Sequence, residues 1–398
     1  MKLKLQTGIL SLEHVVAALG ATLTVPLIIN QSGLPMSYQA TLFFAGIGTL
    51  IFALCVKGAI PIILSSSFAF LSGYAIIPTI YPNLSGVEQL QYASGGGIIA
   101  GLLYLVLALI CKLVGTNIIA KLFPPRVVGP IVMVIGLSLV PSAISNMSSC
   151  WWLAVLALVI FVIIQGYFKG FLKICALLIS VIITTIIAGI CGMVSVKTAA
   201  PLGMFQILNP KFSLSSILVM APIAIASMSE HIGDINSVGA ATGENYIETV
   251  GLHRTLLGDG LSTMISSFFG VCPTTTYSEN ISLLTLTKQY NPKITQIAGI
   301  IMIVLGFSPW FSSLVQAIPI AIIGGVSLLL YTTIASVGVK TVIDNKVDMS
   351  NTKNLIILSL ILGIGLGAPN ITIGNITITS MTSAIVIGLV LNLILPEE

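Results

Sequence analysis

Apolar runs of membrane-spanning length follow one another along nearly the whole chain, and they bound the fold before any motif is read. A helix needs about 20 predominantly apolar residues to cross the hydrocarbon of a bilayer. Such runs lie near 9–29, 38–56, 59–80, 95–115, 122–141, 150–168, 172–192, 214–240, 255–270, 272–287, 294–312, 318–338, 354–370 and 378–395, fourteen in all. Of the 398 residues, 56% are hydrophobic and only 7% charged, against about 25% charged in a soluble domain. A soluble fold this apolar could not cover its surface. The alternation of an outer-membrane barrel is absent. The expected class is an all-α polytopic membrane protein.

Two of the runs are awkward as plain helices. Segment 3 carries Pro61 and Ser65-Ser66-Ser67, and segment 10 carries Pro273 and a hydroxyl-rich stretch. Irregular backbone at membrane depth is tolerated only where protein or a cavity supplies hydrogen-bond partners. Both segments are therefore expected to contain short extended stretches.

The basic residues support the count. With the N-terminus inside, Lys2, Lys4, Lys57, Lys112, Lys121, Arg126, Lys169, Lys173, Arg254, Lys288, Lys293, Lys340, Lys346 and Lys353 fall on or near the cytoplasmic side, and only Lys197 and Lys211 fall outside. That is the positive-inside bias, and it predicts both termini cytoplasmic in a multi-pass protein of the cytoplasmic membrane. Residues 1–8 are too short and polar for a signal peptide, so the first helix is expected to stay. Pro61–Phe68 echoes Pro273–Asn280, and Pro125–Pro130 echoes Pro319–Gly324 in the same order. Seven segments per repeat force an inverted second copy, the pattern of alternating-access transporters, with the interrupted segments marking the binding site.

Three acids stand inside apolar sequence: Glu230 and Asp234 in Ser227–Asp234, and Glu279 in Pro273–Asn280. A charge in hydrocarbon is costly, so its default meaning is function. Glu230 and Asp234 are spaced i, i+4 and share a helix face. Carboxyls withdrawn from water and set side by side can hold and exchange a proton near neutral pH, as proton coupling requires. The plainer reading is that a carboxylate caps a half-helix or holds segments together. Segment 10 reads as an extended piece followed by a half-helix opening near Tyr277, whose first N–H groups would be free for a ligand. Segment 3 offers the same through Ser66, Ser67 and Phe68; the bland alternative is back-bonding of these hydroxyls within ordinary helices.

His14 at the start of segment 1 and His253 in a cytoplasmic loop beside Arg254 are read as structural or solvated. Glu244, Glu248, Asp344 and Asp348 fall in polar loops, and Asp259, at the start of segment 9, could cap it. Trp151 and Trp152 fit an interfacial belt. The six cysteines have no metal-type pairing and read as small hydrophobes. No phosphate loop, zinc spacing or nucleophile elbow points to an enzyme or an ATP-driven pump. A net charge of +4 without a basic patch points to no nucleic acid. No cofactor or metal is expected.

The motifs are specific as a set. His14 with Gly20-Ala21-Thr22 and Val25-Pro26, Ser66-Ser67-Phe68-Ala69-Phe70, Ser229-Glu230-His231-Ile232-Gly233, Gly251-Leu252-His253-Arg254, Gly260-Leu261-Ser262-Thr263, Thr275–Asn280, Gly324–Tyr331 and Lys346-Val347-Asp348 follow in order. With them the chain resembles the nucleobase–cation symporter family of uracil permeases, xanthine permeases and nucleobase–ascorbate transporters, over nearly its whole length and most nearly the bacterial uracil permeases. The resemblance implies fourteen segments in a seven-plus-seven inverted repeat. A core domain (1–115 and 214–312) would hold substrate against a gate domain (116–213 and 313–398). It implies that Glu230 and Glu279 hydrogen-bond the base, that backbone at Phe68 and Ser278 meets its carbonyls, and that Tyr277 and Tyr331 lie close by. A uracil ring offers N–H donors to carboxylates and carbonyl acceptors to backbone N–H groups. Proton coupling would fall to Glu230 and Asp234. Uracil permeases carry a histidine where this chain has Asp234, and the Gly233-Asp234 pair is nearer the xanthine branch. Glu279-Asn280 follows the uracil permeases.

The expectation is a proton-coupled importer of a nucleobase, uracil first, working by alternating access. Its partners would be the base, the proton and membrane lipid, with a homodimer through the gate domain favoured by the likeness. A xanthine, purine or urate permease is the alternative within the family. Outside it stand an anion transporter of similar fold, which three acids oppose by repulsion, and a channel, for which no ring of pore charges speaks.

Overall fold

In the computed structural model, residues 2–116, 124–194, 208–374 and 376–396 are described. Lys121 and Lys197 lie outside them, as do the side chains of Lys2 and Lys4. The chain is helical almost throughout. It runs α1 (Lys2–Gln31), α2 (Tyr38–Cys55), β1 (Leu64–Ser66), a 3-10 turn (Phe68–Phe70), α3 (Leu71–Ile80), α4 (Gly86–Val114), α5 (Pro125–Met147), α6 (Trp151–Tyr167), α7 (Phe171–Ile174) and α8 (Ala176–Ile190). It continues through α9 (Leu214–Thr242), α10 (Leu252–Phe268), β2 (Thr274–Thr276), α11 (Ser278–Thr287), α12 (Pro292–Gly306), α13 (Pro309–Gln316), α14 (Ile320–Asp344), α15 (Thr352–Gly367), β3 (Ile371–Ile373), β4 (Ile376–Ile378) and α16 (Ser380–Ile394).

Among the described residues six helices are long and apolar enough to cross a membrane: Thr7–Gln31 of α1, then α2, α4, α5, α9 and α14. Six further apolar helices have 10–17 residues. Helix starts follow capping chemistry. Ser37 accepts from the N–H of Ala40, and Ser85 forms a reciprocal box with Glu88, each satisfying donors that a helix start leaves free.

Segments 3 and 10 are broken as expected. Proline lacks an N–H and disfavours helix in the residue before it, and β1 and β2 begin just after Pro61 and Pro273. They pair antiparallel, Leu64 with Thr276, Ser65 with Thr275 and Ser66 with Thr274. The N–H of Ser67 extends the pairing to the carbonyl of Pro273 at 2.9 Å. So short a ladder leaves groups over, and neighbouring hydroxyls take them. Thr49 Oγ1 accepts from Leu64 N at 3.0 Å, Thr263 Oγ1 donates to Thr274 O at 2.8 Å, and Thr22 meets Ser65 at 2.6 Å. Interior irregular backbone needs that satisfaction. Because the strands are antiparallel, α3 and α11 leave the pair from opposite ends.

Around this centre, α4 packs on α10, α2 on α10 and α12, and α5 on α14, with α15 and α16 against each other. The α5–α14 contact is close because glycine lines it: a Cβ on Gly136 would collide with the backbone of Tyr331 and Ala335. A separate apolar cluster joins α6 and α8 to the start of α14.

The structure corrects several local readings. His14 is not at a helix start; α1 begins at Lys2 and buries it mid-helix. Asp259 does not cap a helix, since α10 opens at Leu252 after Gly251, whose φ of +94° ends the preceding turn. For the same reason His253 lies on that helix and not in a loop. Segment 11 divides at Phe307–Ser308 ahead of Pro309, and segment 7 divides at Cys175. The hairpin β3–β4, paired Ile371 with Ile378, was no part of the expectation.

Candidate functional site

The paired strands bring the breaks of two chain halves to one place and set α9 beside them. Ser67 Oγ lies 3.3 Å from Ser227 Oγ, which ties the end of β1 to α9. One turn on, α9 presents Glu230 and Asp234 on one face. Their surroundings differ. Glu230 is exposed, whereas Asp234 is buried and accepts from Thr276 Oγ1 at 2.8 Å and from Ser278 Oγ at 2.6 Å. Both Asp234 oxygens are thus engaged by the end of β2 and the start of α11. This geometry is that of a carboxylate holding two elements together.

Tyr277 is the residue before α11 and is buried, Ser278 opens the helix and is exposed, and Glu279 in its first turn is half-buried. The first N–H groups of a helix have no partner within it. Those of Asn280 and Ile281 turn back to the carbonyl of Tyr277, at 3.2 and 3.4 Å. Phe68, half-buried, stands at the matching position after β1.

A cavity of about 200 Å³ opens beside these breaks. Ala17, Gly20, Phe68, Tyr277, Glu279 and Ser282 form one wall, and Phe161, Gln165, Lys173, Cys175 and Leu330 form much of the other. Of the residues expected at the site, Phe68, Tyr277 and Glu279 line this cavity, with Ser278 between the last two in sequence. Glu230 and Asp234 stand on α9, where Asp234 bonds the start of α11. Tyr331 is set apart: α14 turns Leu330 to the cavity and leaves Tyr331 1% exposed.

Sequence reasoning missed two supports of the site. His231 Nδ1 lies 3.1 Å from Asp259 Oδ2 with both side chains at 0% exposure, joining α9 to α10. Thr275 Oγ1 donates to the same oxygen at 3.4 Å, so the pair backs onto β2. Reading segment 9 from Gly251 would have placed Asp259 two turns inside a helix. The second is Asn280, whose Nδ2 donates to the carbonyl of His14 and stands 3.0 Å from its ring Nδ1. This contact fastens α11 to α1. Among the described residues no cluster of three or more His, Cys, Asp or Glu side chains is placed to hold a metal ion.

Long apolar helices wrapped around a paired break, with a cavity against it, are the architecture of an integral membrane protein. The chain belongs to the permease family: the xanthine/uracil "Permease family" model matches residues 5–374. It is a permease, a transporter and not an enzyme. It is 36% identical to the uracil permease of Bacillus subtilis (strain 168), with 97% of this chain and 92% of that protein covered. It is 34% identical to the uracil permease of Escherichia coli (strain K12), with 98% and 91% covered. Among solved structures, the transmembrane domain of the cyanobacterial bicarbonate transporter BicA matches with a TM-score of 0.67 over 98% of this chain and 97% of that one, at 15% identity. SLC26A9 matches at 0.71 over 97% of this chain and 64% of that one, at 12% identity. These two likenesses concern the fold.

Proposed function

We propose that the protein imports uracil together with a proton across the cytoplasmic membrane, by alternating access. The observation that carries this reading is Glu279, in the first turn of α11, on the wall of a cavity that Tyr277 and Phe68 also line. A neutral planar base needs an acceptor for its ring N–H groups and donors for its carbonyls. Glu279 supplies the acceptor, and the first N–H groups of α11 and of the turn at Phe68 supply donors. Glu230, exposed one turn from Asp234, is the second acceptor and the proton carrier. Asp234 serves the proton through its place beside Glu230 and carries the tie to Ser278. Tyr331 acts from behind Leu330.

In this reading the chain makes fourteen crossings as two inverted sets of seven, with both termini cytoplasmic. Residues 1–115 and 214–312 move as a core against a gate of 116–213 and 313–398. The cavity lies between them, since its walls come from α1, the turn at Phe68, Tyr277 and α11 on one side and α6, α7, α8 and α14 on the other. Two copies meet through the gate. The names of the permeases at 34–36% identity support uracil as the base. The fold likeness to a bicarbonate transporter does not extend to its substrate, because an anion beside Glu230, Asp234 and Glu279 meets repulsion.

The test is uptake of labelled uracil by proteoliposomes with an imposed proton gradient. Glu230→Gln and Glu279→Gln should each lose about tenfold or more, the scale of a hydrogen bond to a charged group. Near-normal accumulation by both variants would overturn the site. Uptake indifferent to collapse of the gradient would overturn the coupling.

A further inference from the structure

Helix α9 contains Pro222. Proline has no N–H, so the carbonyl four residues earlier, that of Leu218, lacks its intrahelical donor. That donor comes from another element: Thr382 Oγ1, in the first turn of α16, donates to Leu218 O at 2.6 Å. The hydroxyl is aimed by its own helix start. Thr379 is the N-cap of α16 and accepts from Thr382 N at 3.1 Å, and the two side-chain oxygens lie 2.9 Å apart. With Thr382's hydrogen given to Leu218, Thr379 is the donor between them, and the chain runs Thr379, Thr382, Leu218 in one direction.

Two more contacts close the same face. The N–H of Thr377 in β4 donates to Ser215 Oγ at 2.9 Å, and Ser72 Oγ on α3 lies 3.8 Å from Met381 Sδ. All three core partners, Ser72, Ser215 and Leu218, stand on the side of the strand pair from which α3 leaves. The cavity stands on the other, where α11 and Ser282 lie.

We propose that Thr382 is a clasp: it holds the gate against the core on the α3 side by satisfying the carbonyl that Pro222 leaves open. This rests on the alternating-access reading above. Parting the two domains on that side breaks the Thr382 bond and leaves Leu218 O without a protein donor. The clasp therefore favours the conformation in which the cavity opens only on the α11 side. Pro222 makes the bond matter, and an alanine there would give α9 its own donor.

Spin labels on V87C and I373C, both exposed, report the separation across this face in nanodiscs, with Cys55, Cys150 and Cys191 replaced by serine. The three remaining cysteines are buried. Wild-type protein should show mainly the short distance. Thr382→Val keeps the shape and removes the donor; the ratio of long to short distances should rise about tenfold, as loss of one hydrogen bond implies. Thr382→Ser should restore the wild-type distribution. In a Pro222→Ala background, Thr382→Val should change the ratio by less than about twofold, because the backbone supplies the lost bond. An unchanged distribution in Thr382→Val, or an equal shift in both backgrounds, overturns the clasp. The distances need no uptake assay, so failure of uracil transport leaves this reading separately decidable.

Discussion

Ser278 donates to Oδ1 of Asp234 at 2.6 Å, and so the first residue of α11 is fastened to the middle of α9. With Thr276 on the other oxygen at 2.8 Å, one carboxylate sets the distance between the helix that carries Glu230 and the helix that carries Glu279. The separation of the two proposed ring acceptors therefore depends on a third acid that ties their helices together.

Asp234→Ala should accordingly strand two hydroxyls and lower stability by about 1–3 kcal/mol. Asp234→Asn keeps the shape and one acceptor, and should cost less. Thermal unfolding of the purified protein in detergent measures both; an alanine variant melting at the wild-type temperature would count against the tie.

The buried pair behind β2 makes a sharper prediction. Removing one partner of a buried polar contact leaves the other unsatisfied and costs about 1–3 kcal/mol, whereas replacing both with apolar side chains of similar shape costs far less. Asp259→Leu should destabilise more than the double variant His231→Leu with Asp259→Leu. Equal or additive losses in unfolding experiments would show that the 3.1 Å approach is not an energetic unit.

Ala17 lies on the cavity wall facing Phe161 and Leu330. Ala17→Phe should fill much of the space and reduce binding of labelled uracil at least about tenfold, in keeping with steric loss of a preformed pocket. Its melting temperature should stay close to wild type, because the new ring enters a void. Undiminished binding would place the base elsewhere.

Gly136 tests the packing of α5 on α14. A branched side chain there meets the backbone of Tyr331 and Ala335, and forcing extra volume into a packed contact costs about 1–3 kcal/mol. Gly136→Val should lower the melting temperature. A change of uptake without any change of stability would instead point to the motion of these helices.

Much of the paired break was legible in the chain. Pro61 and Pro273 announced the two breaks because proline removes a donor and disfavours helix before it, and the strands begin within three residues of them. Glu230, Asp234 and Glu279 stood out because apolar sequence does not carry acids without reason. Asp259 was misread, since a helix beginning at Gly251 cannot be told from a loop by apolar count alone. The His231–Asp259 approach joins residues of different helices, and no local pattern encodes it. The hairpin β3–β4 escaped for another reason: its Ile-Thr alternation beside Gly374 falls between the apolar runs 354–370 and 378–395, too short to register as an element of its own.

By itself the sequence determined the membrane class and the places where helices break, because hydropathy and proline act locally. Only the tertiary structure decided where Glu230, Asp234 and Glu279 lie. It left Glu230 exposed, engaged both oxygens of Asp234 with hydroxyls, put Glu279 on a cavity wall and carried Tyr331 away behind Leu330. It also matched the open carbonyl of Leu218 to Thr382, 164 residues away. A hydrogen bond needs its two atoms within about 3 Å, and that proximity is a property of packing that no stretch of chain contains.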